Sequence, residues 1–156
     1  MRLKITCLLS VLAAVFLAAI ATAQNPSNHG PSGDKLIGAW RLVPLESPGP
    51  DGKVNRITDC KGQLIYTRDG RMSVQLMYPP AQSSLSNDYV LNGYEASFGS
   101  YDVDEAAHTV THHVQASVTR GLVGNDLTRA FQFSNGDLII KSVCADEHWS
   151  VTWGHD

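Results

Sequence analysis

Residues 62–77 read GQLIYTRDGRMSVQLM, with apolar and polar side chains alternating on both sides of Asp69-Gly70. Period-two alternation is the mark of a half-buried strand, and aspartate followed by glycine tolerates the positive φ of a tight turn. The segment therefore predicts a β-hairpin. The rhythm recurs to the end of the chain. A first strand runs over 38–45 and breaks at the Pro/Gly-rich stretch 46–52; further strands run over 98–103, 108–118, 127–133, 137–143 and 147–153, with Asn135-Gly136 as a second tight turn. Short connections make the strands antiparallel. The pattern predicts an all-β domain, an up-and-down antiparallel barrel of about eight strands, close to the smallest that closes around side chains or one small ligand. Two helical pieces accompany it: a turn over 35–37 capped by Ser32 or Asp34, and a short helix near residues 87–96 (NDYVLNGYEA), which Gly93 weakens.

Alternation also sorts side chains by face. The apolar sets are Trp40 and Leu42; Leu64 and Tyr66; Met72, Val74 and Leu76; Tyr101 and Val103; Val110, Val114, Ala116 and Val118; Leu127, Phe131 and Phe133; Leu138 and Ile140; Trp149, Val151 and Trp153. Two polar residues fall on those faces: His112 beside Val110 and Val114, and Arg129 between Leu127 and Phe131. A buried, unpaired guanidinium costs several kcal/mol, so Arg129 needs a carboxylate, an aromatic face or a ligand anion. One reading has it stacking on Trp40 or Trp153 as a plug. The other has it facing a ligand, with His112, Tyr101 and Tyr66 around the polar end and Met72, Val74, Leu76, Val114, Phe131 and Trp149 as walls.

The catalytic and metal readings are thinner. Glu95, at the end of the expected helix, is either an exposed helix residue or an acid–base partner for His112 at the barrel mouth. His112 and His113 face opposite ways on one strand, and His108 lies about 13 Å from His112 along it, so no metal site is expected. There is no nucleophile elbow, phosphate loop or metalloprotease helix, and nothing that calls for a cofactor.

The first residues add a compartment. Arg2 and Lys4 precede an apolar run over 5–23 that ends Ala21-Thr22-Ala23, the three parts of a secretory signal peptide. An uncleaved anchor is the competing reading. Cleavage after Ala23 would leave a linker to residue 34, then a single domain over 35–156, secreted or periplasmic, with no membrane span. Loss of Arg2 and Lys4 takes the 12 basic residues to ten against 15 acidic ones, a net charge of about −5. With no basic cluster, nucleic-acid binding has no support. In an oxidising compartment Cys60 and Cys144 are a disulfide candidate, the alternative being two separate thiols.

Four segments carry a family resemblance. LIGAWRLV holds a Gly-x-Trp on the first strand; with it go the 62–77 hairpin, GSYDVDEAAHTVTHHV and Arg129-Ala130-Phe131, together spanning 35–153. In these the chain resembles the small bacterial and fungal lipocalin-like domain proteins. The resemblance implies an eight-stranded barrel with a cavity. It implies no retinoid- or haem-type ligand, because the chain lacks the Thr-Asp-Tyr turn of typical lipocalins. The expected function is binding of a small, largely apolar or amphipathic molecule with a polar end such as a carboxylate. Alternatives are an isomerase, cyclase or hydratase using the same cavity, and an envelope interaction protein with a filled barrel. The oligomeric state is not written in the sequence.

Overall fold

In a computed structural model, residues 30–48 and 53–155 are described; the expected leader and most of the linker lie outside them. Among the described residues one helix, α1 (Pro31–Leu36), precedes nine strands. These are β1 (Gly38–Pro48), β2 (Val54–Ile57), β3 (Lys61–Tyr66), β4 (Arg71–Met77), β5 (Tyr94–Asp104), β6 (Thr109–Ser117), β7 (Asp126–Ser134), β8 (Asp137–Ser142) and β9 (Ser150–His155). Strands β1 and β3–β9 follow one another antiparallel, and β9 returns to pair with β1, closing an eight-stranded barrel. The sequence pattern did not identify β2. It is an arm that pairs only with the outer half of β1, Leu45 opposite Ile57.

The turns follow local chemistry. Asn135 and Gly136 both take positive φ (54° and 91°), the twist that a two-residue hairpin needs. At Asp69-Gly70 only Gly70 is left-handed (φ 77°), and its N–H closes the turn on the Thr67 carbonyl. The helix expected near residues 87–96 is absent. Asn92 and Gly93 have φ of 50° and 75°, a second Asn-Gly turn between the bridged residues Leu91 and Tyr94. Two successive left-handed residues cannot continue a right-handed helix. β5 therefore starts at Tyr94, and Glu95 lies on a strand.

Alternation holds along β6 only as far as Val114. The β5–β6 register shifts so that Phe98 faces Ala116 while Gly99 faces Val114, which leaves Gln115 as a bulge. Strand β6 passes so close to Gly99 that a Cβ there would meet the His113 carbonyl. Beyond the bulge the faces exchange: Val118 is 41% exposed and Phe98 55%, and Ala116 lies in a shallow outer groove with them. The expectation that Ala116 and Val118 face inward is corrected by that single extra residue.

One end of the barrel is filled. α1 lies across it with Leu36 fully buried, and the Trp40 indole N–H donates to the Leu36 carbonyl at 2.7 Å. Glu105, in the β5–β6 turn, accepts the Gly33 and Ser32 amides at 2.7 and 3.3 Å, which holds its carboxyl below the ordinary range. Tyr66, Tyr101, Met72, Val110, Phe131 and Leu138 pack behind the helix in one apolar cluster.

Candidate functional site: a cavity at the open end

The other half of the barrel holds a cavity of about 350 Å³. Four connections ring its mouth: the β1–β2 hairpin through Ser47 and Ile57, the 79–93 segment through Gln82, Leu85 and Tyr89, the β6–β7 loop through Leu122, and the β8–β9 loop through Trp149. Leu45, Leu64, Val74, Leu76, Ile140, Val151 and Trp153 give it apolar walls. Three ionisable side chains enter this space from adjacent strands: Glu95 from β5, His112 from β6 and Arg129 from β7.

His112 forms part of the floor. Its Nε2 lies 2.6 Å from the Tyr66 hydroxyl, and both side chains are buried. Among the described residues the phenol has no other acceptor, so it donates to Nε2 and leaves the ring hydrogen on Nδ1. Burial first, and then the Arg129 charge, hold the imidazole down at about 3, so the ring is neutral at physiological pH. Burial pushes the Tyr66 phenol well above its ordinary range.

Arg129 is 8% exposed. Its guanidinium lies 4.8 Å from the Trp149 ring and 5.2 Å from the Tyr89 ring. These are the aromatic partners the charge needs, but they stand at the mouth; Trp40 and Trp153, the partners expected from the sequence, are not used. Nη1 donates weakly to the Thr128 carbonyl at 3.3 Å. Among the described residues no carboxylate lies within 4.0 Å of the guanidinium. The Tyr89 hydroxyl also interacts with the guanidinium, and these two neutral partners for five donors still leave most of its donor capacity unused. Glu147 sits behind the rings, accepting the Tyr89 hydroxyl (3.1 Å), the Trp149 N–H (3.0 Å) and the Ser142 hydroxyl (2.7 Å). Those bonds, led by Ser142, keep its carboxyl below the usual range.

Among the described residues Glu95 has no such partners. Desolvation pushes its carboxyl up to about 7, against the pull of Arg129. The Tyr78 phenol beside it is also raised, first by burial and then by Glu95 itself.

The sequence-derived candidates divide between the two halves. His112, Arg129, Val74, Leu76 and Trp149 line the cavity, as does Glu95. Tyr66 touches it only through His112. Tyr101, Met72, Val114 and Phe131 do not line it: Tyr101 and Met72 pack with Phe131 in the filled half, where the Tyr101 hydroxyl donates to the Thr67 carbonyl. Sequence reasoning missed Tyr78, Tyr89 and Ser97. The first two lie beyond strand periodicity, and Ser97 of β5 falls between the expected helix over 87–96 and the expected strand from 98. The cysteines are separate thiols, not a disulfide: Cys60 is buried before β3 and Cys144 is exposed in the β8–β9 loop. No described helix is long and apolar enough to cross a membrane.

A closed antiparallel barrel, stoppered at one end and hollow at the other, defines the structural class. The chain belongs to the lipocalin-like domain family, whose profile matches residues 37–153. A search among curated proteins finds no match. Among solved structures, an uncharacterized protein from Bacteroides eggerthii is similar over 77% of this chain and 99% of its own, at 14% identity and a TM-score of 0.46. A variant of the fluorescent protein UnaG is similar over 79% of this chain and 97% of its own, at 10% identity and a TM-score of 0.41.

Proposed function

We propose that this barrel binds a small, largely apolar molecule bearing an acidic group, with Arg129 receiving the acid. The observation that carries the reading is a guanidinium in the cavity wall, stacked on two rings and short of hydrogen-bond acceptors. Arginine matches a carboxylate with two parallel hydrogen bonds, and apolar walls suit the remainder of the molecule. His112 would offer its Nδ1–H, and Val74, Leu76 and Trp149 would supply contact surface. The cavity volume equals that of about a dozen liquid waters, so it encloses roughly 15 heavy atoms, and a ligand of about 20 fits with its far end in the open mouth. The leader-like pattern of the first 23 residues supports export of the domain.

Two dyes of matched shape test the reading. 1-Anilinonaphthalene-8-sulfonate carries an acid, and N-phenyl-1-naphthylamine is the same skeleton without it. A charged hydrogen bond contributes about 1.5–3 kcal/mol, so Arg129→Met should weaken the sulfonate by roughly tenfold or more. The neutral dye should change little. Equal loss of both dyes, or failure to fold, would support a plug role for Arg129.

Glu95 favours a second reading, an isomerase-type enzyme. A carboxyl titrating near neutrality inside an apolar cavity can take a proton from a bound substrate and return it elsewhere. His112, held neutral down to about pH 3, is the poorer base of the two. Turnover lost in Glu95→Gln with substrate affinity retained would establish this reading.

A further inference from the structure

We propose, on the acid-binding reading above, that the ligand's acid seats between Arg129 and Glu95 and is taken up together with one proton, so that Glu95 is neutral in the complex. The reasoning begins with topology. Glu95 on β5 and Arg129 on β7 flank β6, and all three strands send an ionisable group into one cavity. Glu95 and Arg129 share that space, yet they do not come within 4.0 Å of each other. An unclosed gap between a carboxyl and a guanidinium, with apolar walls around it, suits a group that can bond to both.

A charge count then decides the protonation state. Among the described residues, the groups facing Glu95 are His112 on β6, Arg129 on β7, Tyr78 at the end of β4 and Tyr89 in the 79–93 segment. Behind them stand Cys60 beyond Tyr78 and Glu147 beyond the Arg129 stack. The two phenols and the thiol are uncharged because burial raises them, and His112 is uncharged because burial lowers it. That leaves Arg129 as the single cation and Glu147 as a committed anion already bonded on three sides. A ligand carboxylate beside an ionised Glu95 would place two further negative charges against a guanidinium that Glu147 already offsets. Two carboxyl groups in one apolar site share a proton instead of both ionising. Glu95 already titrates near 7, so it is the group that takes it.

The ligand class narrows accordingly. A monoanionic acid needs one proton to enter. A phosphate monoester, dianionic near neutrality, would need more and should be excluded relative to a carboxylate of the same skeleton.

The test uses the whole protein and the two dyes above, with dodecanoate as competitor. The sulfonate dye stays ionised throughout, so any proton linkage belongs to the protein. Its affinity should fall by about tenfold per pH unit once the pH exceeds the Glu95 range, while the neutral dye stays flat. Calorimetry of sulfonate binding at pH 8 in two buffers of different ionisation enthalpy should report uptake of about one proton per dye. The dissociation constant of dodecanoate itself, obtained from the displacement with the dye's affinity at each pH, should be lower at pH 6 than at pH 8. In Glu95→Gln the pH dependence should vanish and binding at pH 8 should tighten. The buffer comparison needs no variant, so a Glu95→Gln that fails to fold leaves the test intact. Sulfonate binding with constant affinity from pH 6 to 8 and no proton exchange overturns this inference and leaves acid binding standing. No sulfonate binding at any pH, with the neutral dye bound, overturns both.

Discussion

The Tyr66 hydroxyl and the His112 Nε2 meet at 2.6 Å on the cavity floor, where the packed half of the barrel gives way to the hollow half. The contact ties β3 to β6 across the interior, where burial first and the Arg129 charge second keep the imidazole neutral. Its cost appears in acid. The unfolded chain protonates this ring below its ordinary value of 6.5, whereas the folded chain resists until about 3. Stability from this group is therefore complete above pH 6.5 and drains away as the pH falls toward 3. Glu95 acts in the opposite sense: its carboxyl takes a proton from about pH 7 downward in the folded state and only near 4.5 in the unfolded one, so mild acid relieves it. Comparison with a variant isolates the ring. Between pH 7 and 4.5, His112→Gln should lose less stability than the native chain by urea unfolding. Parallel curves would mean the ring titrates normally.

His113, one residue on, faces the other way and makes the opposite prediction. Its Nδ1 lies 2.6 Å from Asp126 and its Nε2 2.9 Å from Asp102, so both ring N–H groups donate and the charged form is favoured. Those bonds, Asp126 first, raise its pKa. The stabilisation is present in full below 6.5 and disappears as the pH rises through the raised value. Both aspartates are well exposed, which keeps the effect under about 1 kcal/mol. His113→Gln should therefore cost a fraction of a kcal/mol at pH 5.5 and almost nothing at pH 9, with the difference shrinking in 1 M salt. A loss that grows with pH would contradict the imidazolium assignment.

Two glycines with similar backbone should respond differently to alanine. Gly136 and Gly93 both have positive φ (91° and 75°), so each alanine carries a backbone strain of about 1–2 kcal/mol. At Gly136 the new methyl meets nothing within 4 Å. At Gly93 it lies 3.0 Å from both the Gln82 carbonyl and the Ser83 Cα. Gly93→Ala should cost more in urea unfolding. It should also speed hydrogen exchange at the Tyr78 and Gly93 amides, whose bonds hold the 79–93 segment over the cavity. Equal losses at the two sites would show that this segment gives way freely.

Much of the barrel is legible because strands and hairpin turns are local. Alternation needs only neighbouring residues, and it was enough to single out His112 and Arg129 as polar groups on apolar faces. The Asn92-Gly93 turn was equally local. It was hidden by reading 87–96 as helix despite Gly93, and that one choice took Glu95 off its strand and left Ser97 outside any element. The bulge at Gln115 is another matter. It follows from how closely β6 approaches Gly99, a contact between strands that no short window of sequence contains.

The sequence alone determined which side chains point inward over most strands, because a pleated backbone admits only two faces. Only the tertiary structure decided which inward residues border empty space. Tyr101 and Arg129 both point into the barrel, yet one packs beneath α1 and the other faces a cavity. Depth along the barrel axis depends on how the strands are staggered on closure and on what α1 and the loops cover at each end. Those are properties of the closed sheet, and they turned a list of inward residues into Glu95, His112 and Arg129 around one cavity.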